Sequence, residues 1–148
     1  MEFRRILLPT DLSEEGERAF HAVGELAARG DTSIVLLHVV EDIAVAPAGE
    51  AVAPAVHIPG VVEEMKRVRA MLEERKKRFG PKITVEVDVI SAANVPRAIA
   101  QYAQEKKCDL VALSTHGRSG FRRMIMGSVA EAMLRHARVP VLVFPRSE

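Results

Sequence analysis

The stretch Asp109–Ala137, "DLVALSTHGRSGFRRMIMGSVAEAMLRHA", joins an apolar run to a helical pattern through a glycine-rich segment. The run "LVAL" is apolar throughout, as in parallel strands that are covered on both faces. The segment "VAEAMLRHA" has the spacing of an amphipathic helix. Between them lie glycines, hydroxyls and three arginines without an acid, and loops at such a junction often hold an anion. The stretch therefore predicts a strand–loop–helix unit with a candidate ligand site.

The same alternation of strand and helix recurs along the whole chain. The other apolar runs are "RRILLP", "TSIVLLHVV", "KITVEVDVI" and "VPVLVF". Helices are predicted to begin around Ser13, to cover roughly 61–79 and to follow a cap at Asn94. Five strands that alternate with helices predict an α/β fold with an open, doubly wound parallel sheet, order 3-2-1-4-5, and helices on both faces. The helix over 61–79 is heavily charged, with oppositely charged residues at i,i+4, and we interpret it as a solvated helix with a narrow apolar stripe whose charges have no further role.

Composition limits the class of protein. The chain has 148 residues, a formal net charge of +1 and one cysteine, Cys108. This length fits a single domain, 1–148, that needs no disulfide or structural metal. The small net charge argues against general nucleic-acid or membrane-surface binding, and no apolar run is long enough for a signal peptide or a membrane span. We therefore expect a cytoplasmic protein, in keeping with the single cysteine.

Two polar loops are expected to meet at one edge of the sheet. In the predicted order, strands 1 and 4 are neighbours at the topological switch point, where open α/β sheets bind ligands. Their carboxyl ends carry "PTDLS" (9–13) and "STHG" (114–117). Asp11 can hold a ribose hydroxyl, approach a phosphate-bound Mg²⁺ or cap the following helix, and these roles stay open. Gly127 and Ser128 precede a helix whose first N–H groups attract phosphate.

Two further segments suggest contacts with partners. The last strand, Val139 to Phe144, is the other predicted edge, and its apolar surface favours a homodimer through this strand. The alternative is a monomer whose edge is blunted by Pro140 and Pro145. The segment Glu41 to Gly60 shows neither the helical nor the strand period of apolar residues, and it predicts a long mobile loop. It is interpreted as a lid over the ligand, a loop that docks a partner, a segment that packs on the dimer mate or a disordered insertion.

The chain resembles the universal stress protein family over nearly its full length. The resemblance is carried by "ILLPTDLSEEGERA", "IVLLHVVE", "CDLVALSTHGRSG" and "MGSVAEAMLRHARVPVLVF". The most specific element is the family's ATP-binding pattern, Gly-x2-Gly-x9-Gly-Ser/Thr. Gly117, nine intervening residues and the pair Gly127–Ser128 match its second half, whereas Ser114 stands where the pattern has its first glycine.

The resemblance implies an ATP site and assigns residues to it. Pro9, Thr10 and Asp11 would line the adenosine site, Val39 would border the adenine, Leu113 would contact the adenosine, and His116, Gly117, Gly127, Ser128 and Val129 would cradle the phosphates. The Ser114 hydroxyl is compatible with such a polar site. The resemblance also implies dimers that pair through the fifth strand.

The sequence favours a regulator over an enzyme. It shows no set of nucleophile, base and orienting group, and its five histidines lack the spacing of a metal site. We therefore predict an ATP-binding, Mg²⁺-dependent dimeric switch in the stress response, with at most weak or partner-stimulated hydrolysis and a regulatory protein partner. The alternative is a nucleotide-free dimeric interaction scaffold of the same fold. An adenylate-transferring enzyme is disfavoured because "PTDLSEEG" and "LLHVVED" lack its usual signatures.

Overall fold

The computed structural model describes residues 2–42, 60–114 and 128–145. Within them, five parallel strands form one sheet in the order β3-β2-β1-β4-β5, which confirms the predicted fold class and strand order. The elements are β1 (Arg5–Pro9), a 3-10 turn (Glu15–Glu17), α1 (Arg18–Ala28), β2 (Ser33–Glu41), α2 (Val61–Lys76), β3 (Thr84–Ala92), α3 (Val95–Glu105), β4 (Leu110–Ser114), α4 (Ser128–His136) and β5 (Val141–Phe144). None of the helices in these ranges has the length and apolar content that a bilayer crossing requires.

Alternate residues of the central strands build two hydrophobic cores. Ile6 and Leu8 pack on one face of the sheet with the apolar sides of α1 and α2, whereas Leu7 packs on the other face with α3 and α4. All three side chains are fully buried, which explains why the run in β1 is apolar without alternation. β3 does alternate between exposed and buried positions at its start, as its predicted place at the sheet edge requires.

The start of one helix and the start of one strand differ from the sequence prediction. α1 begins at Arg18 rather than near Ser13, because the Ser13 hydroxyl accepts a hydrogen bond from the Gly16 amide and forms a turn there. α3 begins as predicted, since the Asn94 side chain accepts a hydrogen bond from the Arg97 amide at 3.0 Å. At the end of the chain, β5 starts at Val141 rather than at the predicted Val139.

The interpretation that the charges of α2 have no role beyond solvation is wrong. Arg69 crosses to β3, where its guanidinium donates to the Val87 carbonyl and to the Asp88 carboxylate at 3.1 and 2.9 Å. Near its end, Arg75 and Arg78 pair with the carboxylate of Glu17. Charges on this helix therefore connect it to the sheet edge and to the turn before α1.

A partly buried polar pair connects α3 to β3. The Tyr102 hydroxyl donates to Asp88 at 2.8 Å, and burial together with this bond raises the pKa of Tyr102. Burial alone would raise the pKa of the Asp88 carboxyl. Its hydrogen bonds from Tyr102, the Val89 amide and Arg69 outweigh that effect, so the net pKa of Asp88 is lowered.

Replacing Tyr102 tests this pair. Tyr102→Phe removes one donor from Asp88, and we expect the free energy of unfolding at pH 7 to fall by about 1 kcal/mol. Because the pKa of Asp88 is lower in the folded state, its contribution is complete above the unfolded value of about 4 and fades as the pH falls through the folded pKa. The loss should therefore shrink towards pH 3 in urea titrations. Gln101→Ala, which removes an exposed bond to Glu105 on the same helix, is the control and should cost less at both pH values. An equal loss at pH 7 and pH 3 would contradict the assignment.

Candidate functional site

A cleft of about 840 Å³ lies at the carboxyl edge of the sheet. Its walls come from the end of β1 (9–11), the end of β2 (37–41), the turn into α3 (93–96), the end of β4 (113–114) and the start of α4 (128–130). Strands β1 and β4 are hydrogen-bonded neighbours, so the cleft lies at the topological switch point. The structure thus places the cleft where the strand order predicts a ligand site.

All eight of the predicted site residues that the structure describes lie in this cleft. The residues that line it are Pro9, Thr10, Asp11, Val39, Leu113, Ser114, Ser128 and Val129. His116, Gly117 and Gly127 lie outside the described residues, as do residues 43–59 of the predicted loop Glu41 to Gly60.

The loop after β1 is held by a chain of short-range hydrogen bonds. The Thr10 amide donates to the Leu37 carbonyl at 2.9 Å, which extends the β1–β2 pairing by one residue. The Thr10 hydroxyl, which is buried, accepts from the Leu12 amide at 3.1 Å. Leu12 has a φ of 68°, in the left-handed region that leucine rarely adopts. The loop therefore turns sharply at Leu12 and leaves Thr10 and Asp11 at the wall of the cleft.

Asp11 serves this turn directly. Its Oδ1 accepts hydrogen bonds from the Ser13 amide at 3.0 Å and from the Ser13 hydroxyl at 2.5 Å. A Cβ on Gly16 would lie 2.4 Å from the same oxygen. The structure thus gives Asp11 the local role of shaping the helix approach, one of the three roles that the sequence leaves open. A side chain at position 16 would have to displace the Asp11 carboxylate from this position.

Sequence reasoning missed several residues of this site, and Gly16 and His38 are the two with specific contacts to the Thr10–Asp11 loop. Gly16 stands in the polar run "SEEGE", where no pattern marks a close approach. His38 lies near the end of β2, and its Nδ1 is 2.8 Å from the Thr10 carbonyl oxygen. Because a carbonyl only accepts, Nδ1 carries the proton in this contact. The sequence feature that could have indicated His38 is its position as the single polar residue inside the apolar run "IVLLHVV" of β2, close to the carboxyl end of the strand.

The Ser114 hydroxyl is buried at the end of β4 and has no hydrogen-bond partner among the described residues. Buried hydroxyls are normally hydrogen-bonded, because an unpaired one loses its interactions with water. Ser114 belongs to the residues that line the cleft. A polar ligand atom at this position would supply the missing partner.

The described residues offer no protein-only metal centre. In ranges 2–42, 60–114 and 128–145, no group of three or more His, Cys, Asp or Glu side chains is arranged to hold an ion. The only carboxylates among the cleft residues in these ranges are Asp11, Glu41 and Glu64. A divalent cation at this cleft would therefore need ligands from a bound molecule as well as from the chain.

The family model for the universal stress protein family matches residues 2–145. The chain belongs to the universal stress protein family. A relative from Methanocaldococcus jannaschii, universal stress protein MJ0531, is 32% identical over 156 residues, which cover 95% of this chain and 81% of the relative.

Solved structures of the family share this fold. A universal stress protein in complex with cAMP superimposes with a TM-score of 0.69 and 20% identity, and the match covers 99% of this chain and all of the other. The universal stress protein from Archaeoglobus fulgidus in complex with dAMP has a TM-score of 0.66 and 17% identity, with 97% and 98% of the two chains covered. These likenesses show that the fold of this universal stress protein is the family fold.

Replacing Gly16 tests the geometry of the Asp11 turn. In Gly16→Ala the new methyl group must displace the Asp11 carboxylate, and we expect a loss of about 1–3 kcal/mol in the free energy of unfolding. Gly80→Ala is the matched control, because a Cβ there meets no atom within 4 Å. That change should alter stability by no more than about 0.5 kcal/mol. Urea unfolding of both variants measures the difference, and equal effects would refute the close approach at Gly16.

Proposed function

We propose that this universal stress protein binds ATP with Mg²⁺ in the cleft and acts in the cytoplasm as a dimeric, nucleotide-dependent regulator. The observation that carries the proposal is the cleft itself, where eight of the eleven predicted contact residues come together. Its volume of about 840 Å³ falls in the range of roughly 300–1,000 Å³ typical of small-molecule sites. The family structures in complex with cAMP and dAMP support an adenine nucleotide as the ligand class.

The chemistry of the cleft suits the parts of a nucleotide. Val39 and Leu113 supply buried apolar surface for a base. Thr10 and Asp11 supply oxygen atoms for a ribose. Ser128 is the first residue of α4, whose unpaired N–H groups and dipole favour a phosphate. The proposed ligand therefore extends from the β1–β2 side of the cleft towards α4.

The Ser114 hydroxyl tests whether a nucleotide fits the cleft. Its buried, unpaired hydroxyl costs free energy in the protein alone and can be paired by a polar atom of the ligand. The residue also stands where the ATP-binding pattern of the family has glycine. We propose that it contributes a hydrogen bond to the nucleotide in this chain.

Regulation fits the cleft better than catalysis. Among the cleft residues that the structure describes, the one histidine, His38, bonds the Thr10 carbonyl, and Asp11 bonds the Ser13 turn. Both side chains therefore stabilise the loop after β1 through these hydrogen bonds. Mg²⁺ commonly binds through one or two carboxylates together with phosphates, so Asp11 is the proposed protein ligand for a phosphate-bound ion. Hydrolysis would be weak or would need a protein partner.

The binding experiment uses purified chain freed of bound small molecules by denaturation and refolding. Titration calorimetry with Mg²⁺ and ATP should give one site per chain, and AMP and GTP added separately test the nucleotide class. Ser114→Ala should weaken ATP binding by about three- to tenfold, since it removes one hydrogen bond. The same variant should leave the unliganded protein equally or more stable to urea, because an unpaired hydroxyl is gone.

A matched change outside the cleft is Ser33→Ala, which removes an exposed hydroxyl bond to the Arg4 carbonyl. It should not affect ATP affinity. If neither wild type nor variants bind ATP or another adenine nucleotide, the nucleotide proposal is wrong and the interaction scaffold takes its place. If ATP binds equally to wild type and Ser114→Ala, the nucleotide proposal stands and the role of Ser114 is wrong.

The proposed homodimer pairs the last strands of two chains. β5 covers Val141–Phe144 within the predicted Val139 to Phe144 segment, and within the described ranges it pairs with β4 only. Leu142 on this strand is 38% exposed, an unusual level for a large apolar side chain in a sheet. A second copy of the strand would cover this edge.

Replacing Leu142 tests the dimer. Leu142→Lys places a charge on the pairing edge and should increase the dimer dissociation constant by at least about tenfold. Val62→Lys is the matched control, because Val62 is an exposed apolar residue on α2, 54% exposed and far from β5 in the sheet order. Sedimentation equilibrium measures both. A wild-type monomer, or equal weakening by the two changes, would contradict a dimer through β5.

A further inference from the structure

The end of α2 is connected to the loop that forms one wall of the cleft. Arg75 donates from Nη2 to the Leu12 carbonyl oxygen at 2.8 Å, and its Nε donates to the Glu17 carboxylate. Arg78 pairs with the second oxygen of Glu17. These contacts span more than fifty residues of sequence and join the last turn of α2 to the segment between β1 and α1. Arg75 itself is not among the residues that line the cleft.

The buried carboxylate of Glu17 needs the contacts with these arginines. Its side chain is only 6% exposed, and a buried carboxylate is stable only with charged or hydrogen-bonding partners. Its two arginine partners are Arg75 in the last turn of α2 and Arg78 just after the helix. The turn before α1 therefore cannot move away from α2 without leaving a buried charge unpaired.

Arg75 also holds the unusual residue of the loop. Leu12 is in the left-handed region, a conformation that persists in leucine only where its surroundings enforce it. The Thr10 hydroxyl accepts from its amide, and Arg75 donates to its carbonyl. The two contacts fix both polar groups of the Leu12 backbone. Thr10 and Asp11, which precede it, lie at the wall of the cleft.

The guanidinium of Arg75 can make both contacts at once. Its planar fork carries five N–H donors, so one group can bond Glu17 and the Leu12 carbonyl at once. A lysine ammonium is a compact charge that can compensate Glu17 but cannot reproduce the fork. The geometry thus separates two tasks of Arg75, charge compensation and loop positioning.

We propose that Arg75 is a positioning residue for the nucleotide site, which it organises from outside by holding the Thr10–Ser13 loop in its binding conformation. The inference rests on the proposed function, that an adenine nucleotide occupies the cleft. It adds a residue on α2 whose effect on binding passes through the Leu12 carbonyl and the Glu17 carboxylate.

The main test is Arg75→Lys, which retains the charge next to Glu17. Urea unfolding should show near wild-type stability, whereas the dissociation constant for Mg²⁺ and ATP should rise by about tenfold, since a charge-assisted hydrogen bond to the loop is lost. Amide hydrogen exchange of the unliganded protein should be about tenfold faster at Leu12, Ser13 and Gly16 than in wild type. Exchange in the central strands should not change.

Two further variants keep the test decisive. Lys77→Met, which removes a neighbouring cation paired only with Glu74 among the described residues, should change neither loop exchange nor nucleotide affinity. If Arg75→Met fails to fold because the buried Glu17 carboxylate keeps only Arg78 as a partner, Glu17→Gln combined with Arg75→Met removes both charges. This double variant should fold and show the same fast loop exchange as Arg75→Lys.

The outcomes separate the inference from the proposed function. If wild type binds no nucleotide, the proposed function fails, and the exchange of Leu12, Ser13 and Gly16 still decides whether Arg75 holds the loop. If Arg75→Lys keeps wild-type loop exchange and affinity, the positioning role is overturned. If exchange rises equally in the loop and in the central strands, Arg75 serves global stability only and the inference is wrong.

Discussion

The hydrogen bond from the Thr10 amide to the Leu37 carbonyl is the point on which the site depends. It extends the parallel pairing of β1 and β2 one residue beyond the sheet, so the chain leaves β1 in a direction set by the sheet itself. The sharp turn at Leu12, the Asp11 contacts and the closeness of Gly16 all follow from that direction. The cleft is therefore a consequence of strand pairing, and the side chains that line it are placed by main-chain geometry before any ligand arrives.

Most of the fold could be predicted from sequence because the burial of each strand determines its pattern of apolar residues. β1, β2 and β4 are covered on both faces, and their uninterrupted apolar runs show it. β3 at the edge alternates. Since the carboxyl ends of neighbouring parallel strands meet, the strand order alone brought Pro9, Asp11 and Ser114 to one cleft. The start of α1 was less predictable, because a serine that caps a turn and a serine that caps a helix have the same sequence signal.

Most of the contacts that sequence reasoning missed are long-range. Helical spacing suggested ion pairs between residues four apart on α2. Instead, Arg69, Arg75 and Arg78 form ion pairs with carboxylates of other elements. Nothing in a local pattern distinguishes an arginine that points to solvent from one that reaches a carboxylate more than fifty residues away. His38 and Gly16 were missed for the same reason, since their importance lies in what stands opposite them in space.

The two edges of the sheet are chemically unlike. Along β3, the Arg69 guanidinium lies against the main chain at Val87, and a charged group in that place discourages a further strand. β5 presents Leu142 instead. A sheet that can grow at both ends polymerises into a fibre, whereas one with a single receptive end closes on itself after one addition. If β5 pairs as proposed, this asymmetry would limit strand-mediated assembly to a pair, and the apolar edge would be retained without the hazard of open-ended aggregation.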